Sequence, residues 1–382
     1  MESYLQAAQR LHRYLIGSHW DGRALNGPDP GIRFNYRIGR FAKGYLPFLP
    51  WRDSLYYLQG QGYWVLGSWL LRSLSSTEAA GECAVQASDE MLDRQRDDGA
   101  WEYPNPEWRG RVATAEGCWG AIGLVESYRQ TGDGRYLEGA LRWHRYLTDV
   151  IGYQQMGEEL AVNYFADRKG ARVPNNSAFL LRFLADLADV TRDPAYLSPS
   201  AGLLAFLRQA RKPTGEMPYS VPGVEGGAPK GHFQCYQYNA FQCLDLMRYH
   251  QLTGDQAAMP LIEGMLRFLR GGQAPDGHLA YQCGNPRGAV TYHAAVLGAC
   301  FSTAGAMGIA GFAEAAEAAY SYVLGLQRPD GGFPHSRGDY GVLSDRRSYP
   351  RYLAMILYHL LAGSGLGNEE SWGKEGARSA AR

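Results

Sequence analysis

Residues 326–334 read LQRPDGGFP, and weaker copies of this stretch recur upstream at a spacing that no single helix or strand produces. An apolar helix end runs into Gln327, Asp330-Gly331-Gly332 forces a tight turn, and Phe333 follows as a ring able to fold back on the helix. The same grammar appears in Met91–Trp101 (MLDRQRDDGAW), Phe206–Tyr219 (FLRQARKPTGEMPY) and Phe268–Tyr281 (FLRGGQAPDGHLAY), with a degenerate copy at Gly152–Glu158. The turn glycines Gly99, Gly157, Gly215, Gly277 and Gly331 stand 58, 58, 62 and 54 residues apart. A period of roughly fifty to sixty residues marks a repeated supersecondary unit, here two helices and a loop.

A second kind of turn divides each unit. Thr-Gly-Asp at 131–133 and 253–255, with the cousin Thr-Arg-Asp at 191–193, separates a helix rich in Ala and Gly from a more amphipathic one. Small side chains let helices crowd around an axis, so the Ala/Gly-rich member is expected inside and the amphipathic member outside. Six such pairs close a ring, with the N-terminal segment supplying the pair that the five glycines leave uncounted. The expected fold is all-α: an α/α toroid of about six helical hairpins, a single domain over residues 1–362. Residues 363–382 carry Gly, Ser and charge without periodicity and are expected to be a flexible tail. Residues 19–50 form a long N-terminal loop, too irregular for a helix and too aromatic for a disordered linker. Between Asp29 and Asp53 it holds Arg33, Arg37, Arg40 and Lys43 with no acid among them, which makes either a solvated basic face or an anion clamp near the cavity mouth.

Composition removes several function classes. The 382 residues include 38 basic and 38 acidic side chains, so binding nucleic acid through bulk charge is not expected. No run of eighteen apolar residues predicts a membrane span, and the charged first turns do not read as a signal peptide, so a soluble, cytoplasmic protein is expected. The six cysteines (Cys83, Cys118, Cys235, Cys243, Cys283, Cys300) contain no C-x-x-C pair and read as buried free thiols. The 26 Tyr and 9 Trp exceed what a plain helical core requires and suit the wall of a cavity. Oligomeric state is not legible.

The Gln, turn Gly and aromatic at these spacings resemble the QW-type repeats of terpene cyclases and prenyltransferase subunits. The hairpins closed by DG turns equally resemble toroidal polysaccharide lyases, glucuronyl hydrolases and glucuronyl epimerases. The likeness covers most of Met91 to Leu361 and implies the toroid, while fold does not fix chemistry. Terpenoid enzymes of this kind use D-x-D-D or D-D-x-x-D, and neither string occurs. Prenyltransferases hold zinc with Asp, Cys and His. Cys283 and His293 approach such a set but lack an Asp at matching distance, so neither metal nor cofactor is expected.

In such a ring the loop after each outer helix returns the chain to the cavity mouth, so polar residues at the entrances of inner helices converge there. These are Trp119; Asn163, Tyr164, Asn175 and Asn176; His232, Tyr236, Tyr238 and Asn239; Arg287, Tyr292 and His293; and Asp345, Arg346, Tyr349 and Arg351. Capping explains Asn176 and Ser177 equally well, and a hydrogen-bonded core histidine would explain His232. Removing a proton beside a carboxylate needs a base, a proton donor and a group that stabilises the developing charge. The toroidal lyases and epimerases use Asn, His, Tyr and Arg for these tasks. That resemblance implies Asn176 on the carboxylate, His232 or His293 as base, Tyr236 or Tyr238 as acid, and Arg287 as anion clamp.

Glu116 is the most informative acid, because a carboxylate in small-residue inner-helix text needs a partner. With Asp98, Asp276, Asp330, Asp339 and Asp345 it is also a candidate for two-carboxylate hydrolysis, although turn geometry accounts for the DG aspartates. Arg346, Arg347 and Arg351 suit carboxylate, sulfate or phosphate, or pair with surface acids. The expected function is an enzyme acting on a small or oligomeric anionic carbohydrate of the uronic-acid type by lyase- or epimerase-like proton abstraction. A terpenoid cyclase or prenyl-transfer enzyme, a glycoside hydrolase and a non-catalytic binding toroid stay open as alternatives.

Overall fold

The structure, a computed structural model, describes residues 2–30, 42–104, 108, 110–228, 235–281, 283, 288–339 and 342–363. Among the described residues, twelve helices of at least 11 residues alternate between two concentric layers. The inner layer is α2 (Leu58–Ser75), α4 (Thr114–Thr131), α6 (Pro174–Thr191), α8 (Cys235–Thr253), α10 (Thr291–Ala306) and α12 (Pro350–Ala362). The outer layer is α1 (Glu2–His19), α3 (Glu78–Asp93), α5 (Gly134–Tyr146), α7 (Ser200–Ala210), α9 (Met259–Gly272) and α11 (Ala313–Leu324). Each inner helix packs on the next, and α12 packs on α2, so the inner ring closes; α1 covers α12 from outside. The chain is an α/α toroid, as the repeat predicts. No helix of the described residues is long and apolar enough to cross a membrane.

The two turn types do different work. In the first, Thr131 Oγ1 accepts from Asp133 N (3.1 Å) and the Asp133 side chain caps α5 through Arg135 N (2.9 Å). Asp193 and Asp255 repeat the cap on Ala195 N and Ala257 N. In the second, Gly99, Gly215, Gly277 and Gly331 take left-handed φ values of 91°, 91°, 93° and 92°. A Cβ at each would collide with a backbone carbonyl of the following outer helix: Arg142, Gly264, Ala318 and Arg10 respectively. The repeat glutamine makes the same crossing by hydrogen bonds. Gln95 Nε2 donates to Gly99 O and Gly139 O, Gln273 Nε2 to Ala315 O, and Gln327 Nε2 to Gly331 O and Ala7 O. Arg211 replaces the glutamine in the third copy, with Nη1 on Pro260 O at 2.6 Å. Two residues past each glycine, Trp101, Met217, Leu279 and Phe333 are buried. The motif is a staple between consecutive outer helices.

The structure corrects two of the sequence readings. Gly157 is the tip of a β-hairpin, β1 (Tyr153–Met156) with β2 (Glu159–Val162), and β2 packs on α7 where the others have a staple. Two cysteines are not free: Cys235 and Cys283 form a disulfide with Cα atoms 6.0 Å apart, because the entrance of α8 and the loop before α10 lie side by side. Cys83, Cys118, Cys243 and Cys300 are free and buried. A further DG turn, Asp21-Gly22 after α1, shares the left-handed glycine but not the staple: Asp21 Oδ1 accepts from Arg23 N and Ala24 N, while a Cβ on Gly22 would meet open space.

Inner glycines allow the crowding that the ring requires. A Cβ on Gly62 would strike the Trp119 carbonyl, and one on Gly120 would lie 2.6 Å from Leu58. Two short antiparallel pairs tie the loops ahead of inner helices: Ala171–Arg172 with Val221–Pro222, and Ala289–Val290 with Ser336–Arg337. The tail from 364 onward and residues 31–41 lie outside the described residues.

Candidate functional site

All six inner helices start at the same end of the ring, and their first turns with the preceding loops build the mouth. Tyrosines dominate it. Tyr57, the N-cap of α2, meets Tyr103 edge-on at 6.1 Å; Tyr219 meets Tyr238 at 5.7 Å; Tyr292 stacks on Tyr352 at 4.4 Å. Tyr103, Tyr164, Tyr219, Tyr238 and Tyr352 remain partly exposed. Burial raises the phenols of Tyr57, Tyr103, Tyr164 and Tyr292 well above their usual value, so they stay neutral hydroxyls in the physiological range.

Among the described residues, Arg351, Asp29 and Glu116 carry charge in the mouth. Arg351 Nε lies 2.7 Å from Asp29 Oδ2, and its Nη2 donates to Asp29 Oδ1 at 2.8 Å and to Tyr352 OH at 2.6 Å. Its guanidinium stacks on Tyr57, 4.1 Å from the ring centre, and on Tyr352 at 4.7 Å. Glu116, in the first turn of α4, reaches across to α2 and accepts from Gln59 N at 2.8 Å. Burial pushes its carboxyl up to about 7 against the opposing pull of Arg351 and the α2 amides, with Asp29 adding to the rise. The partner expected for this carboxyl is therefore a helix N-terminus.

The other candidates divide sharply. His293 is fully buried at the start of α10, stacked on Tyr281 at 5.9 Å and edge-on to Tyr292 at 4.4 Å. Asn176 is buried in the first turn of α6 but does not cap it: the cap position is Val173, and neither Asn176 polar atom has a hydrogen-bond partner among the described residues. Asn175 lies one helical stripe above Arg182, seven residues on, at the mouth end of the axis-facing side. Tyr238 faces the mouth, whereas Tyr236 turns outward, its ring stacked on Phe268 of α9 at 4.8 Å. Asn163 and Asn239 are consumed by loops. Asn163 accepts from Gln154 Nε2 and donates to Ile151 O, while Asn239 takes Met217 N and donates to Met217 O and Cys235 O.

Trp119 lies in the core, stacked on Tyr63 at 4.1 Å. Tyr349 donates to Asp345 Oδ2 at 2.8 Å. Of the three late arginines, Arg351 belongs to the mouth, Arg347 holds the backbone carbonyls of Lys43 and Leu49, and Arg346 is exposed. His232, Arg287, Arg37 and Arg40 lie outside the described residues.

Asp29, Tyr57, Tyr103 and Tyr352 are absent from the sequence-derived site. So is a deeper layer of Arg182, Asp245 and His359, although a titratable side chain inside LLRFLAD, CLDLMR or LYHLL is itself a visible signal.

No family model matches the chain, and no curated protein matches it either. Solved structures do. A cellobiose 2-epimerase from Bacillus thermoamylovorans superposes with a TM-score of 0.71 at 14% identity, covering 94% of this chain and 99% of that one. A possible member of the GH105 family from Klebsiella pneumoniae gives 0.69 at 12% identity, covering 95% and 93%. A glycosyl hydrolase of family 88 from Bacteroides vulgatus gives 0.64 at 10% identity, covering 94% and 98%. At these identities the likeness establishes the fold, the α/α toroid.

Proposed function

We propose that the protein is an enzyme acting on a carbohydrate by moving a proton at a sugar carbon beside a carbonyl or carboxylate, with a uronic-acid unit as substrate class. The observation that carries this reading is Glu116, a mouth carboxyl raised to about 7 beside Arg351 and the tyrosine rings. A group half-ionised near neutral pH can take up a proton and return it. Arg351 is a fixed cation suited to charge that develops on a substrate oxygen. Half-exposed phenol rings offer flat apolar faces with hydroxyl donors at their edges, which suits sugar rings. The superposition on a cellobiose 2-epimerase and on two glycoside-hydrolase-type toroids supports a carbohydrate substrate.

Hydrolysis by paired carboxylates has less support. Asp29, the nearby acid, has both oxygens against Arg351, so it is poorly placed to activate water. Arg37, Arg40 and Arg287 are the anion clamps of this reading for a substrate carboxylate. In this reading His232 and His293 are the further bases, Tyr238 the phenol donor, and Asn175 and Asn176 partners for sugar oxygens.

The test is incubation with uronate oligosaccharides and with neutral disaccharides in deuterated water. Deuterium at the sugar carbon, or absorbance near ~235 nm from an enol ether left by proton abstraction, is expected, and both signals are expected to fall in Glu116→Gln. Absence of deuterium and of absorbance with every sugar would overturn the proposal.

A further inference from the structure

Below the mouth the ring axis turns polar again, in a layer that the proposed reaction does not use. Arg182 of α6 places Nη1 3.3 Å from Asp245 Oδ1 of α8 and Nη2 3.3 Å from Tyr358 OH of α12. His359 of α12 and Tyr63 of α2 stand face to edge at 5.5 Å, and Phe241 of α8 closes the gap 5.4 Å from His359. Trp119, stacked over Arg182 at 5.0 Å and over Tyr63, separates this layer from the mouth. Four inner helices thus converge on one spot. Tyr63, His359 and Asp245 are at most 1% exposed. Yet Asp245 Oδ2, both ring nitrogens of His359 and the Tyr63 hydroxyl have no hydrogen-bond partner among the described residues. Each such atom costs about 1–3 kcal/mol if left unpaired, and buried polar atoms in native proteins are almost always satisfied.

We propose that this buried cluster on the ring axis binds ordered water, shared among Asp245 Oδ2, the His359 ring and the Tyr63 hydroxyl. The mixture of groups identifies the ligand. A cation site presents acceptors and an anion site presents donors. Here a neutral imidazole offers one of each, a phenol offers both, and the Asp245 carboxyl, which burial raises to about 7, accepts when ionised and donates when protonated; a molecule that also donates and accepts satisfies all of them in either state. His359 is neutral because burial, with the Arg182 charge nearby, lowers it to about 3. No group of three His, Cys, Asp or Glu among the described residues is arranged to hold a metal. The water completes the polar shell that keeps the Arg182 charge tolerable beneath Trp119, and so gives the mouth a firm floor.

The experiment is a high-resolution crystal structure of the full chain with a parallel bromide soak, paired with oxygen-17 relaxation dispersion of water in solution. Expected are water densities at hydrogen-bond distance from Asp245 Oδ2 and a His359 nitrogen. Tyr63→Phe and His359→Leu should each lose at least one long-lived water from the dispersion amplitude; Tyr63→Phe, which removes one oxygen, covers the case in which His359→Leu does not fold. An anomalous bromide peak at the cluster, side chains paired directly with one another with no density between them, or an unchanged dispersion amplitude in Tyr63→Phe would each overturn the proposal.

Discussion

Glu116→Gln separates the cost of a buried carboxyl from its use. The folded protein holds this group at about 7, against an ordinary value of 4.5. Below 4.5 the folded and unfolded chains are both protonated there, and the group is neutral in the balance. Between 4.5 and 7 the unfolded chain releases a proton that the folded chain keeps, so stability falls as pH rises. Above 7 the full loss is reached, about 3 kcal/mol for a difference of this size. Glutamine keeps the shape and an acceptor for Gln59 N but cannot ionise. The bond from Gln59 N to the ionised carboxylate is already part of the balance that sets the value at about 7, so the neutral amide stands in for the protonated acid and the gain at pH 8 is about 3 kcal/mol. Urea unfolding at pH 5, 6.5 and 8, with equal m-values for both proteins, reads this directly. The wild type should lose more stability than Glu116→Gln between pH 5 and 8, and the variant should be the more stable at pH 8. Asp245, also raised to about 7 by burial, changes in the same direction in both proteins and cancels. A variant less stable than wild type at pH 8, or an identical pH dependence in the two, would refute the reasoning.

Three further outcomes follow from the geometry. Gly331→Ala combines a φ of 92° with a Cβ 2.5 Å from the Arg10 carbonyl and should destabilise by about 2–4 kcal/mol in thermal and urea unfolding; Gly157→Ala, with φ 60° and open space around it, should cost about 1 kcal/mol. Arg351→Lys keeps the charge but loses the planar fork on Asp29 and the stacking on Tyr57, so turnover of any substrate found should fall by about 10²-fold with circular dichroism unchanged. Reduction of the Cys235–Cys283 disulfide, which spans 48 residues, should lower stability by about 4 kcal/mol, read as a fall in Tm with dithiothreitol that Cys235→Ser abolishes.

The ring was legible because its turns obey strict local chemistry. Only glycine tolerates the left-handed φ at 99, 215, 277 and 331, and only a small residue fits against the next helix, so those positions recur at readable intervals. Gly157 shares the residue type without the context: the degenerate copy at Gly152–Glu158 is a β-hairpin with no helix against its turn. Gly22 has the Asp-Gly dipeptide and the left-handed φ but no close approach of the next helix, and the long loop after it breaks the period. The site was less legible, because the same residue types that bind sugars also pin loops. Nothing in the local text distinguishes Asn163 and Asn239, which hold backbone, from Asn176, which does not. Arg351 and Asp29 lie 322 residues apart, and Cys235 and Cys283 lie 48 apart, so their pairing exists only once the ring has closed. The surplus of aromatics pointed to a cavity wall, and the tyrosines of the mouth answer to it, whereas Trp119 and Tyr63 went into the core instead.

The last staple joins Gln327 to Ala7, 320 residues earlier in the chain. On a ribosome adding about 5–20 residues per second, the first helix waits on the order of half a minute for the partner that covers it. Through that interval Leu11 and Leu15, both fully buried in the finished ring, have only unfinished neighbours. Of the ring's own helices, α1 is thus made before the others yet seated only once α11 is in place. A chaperone that shelters it, or a circular permutant that starts at Leu58 and appends residues 1–57 after α12, should raise the yield of folded protein more than any change to the core.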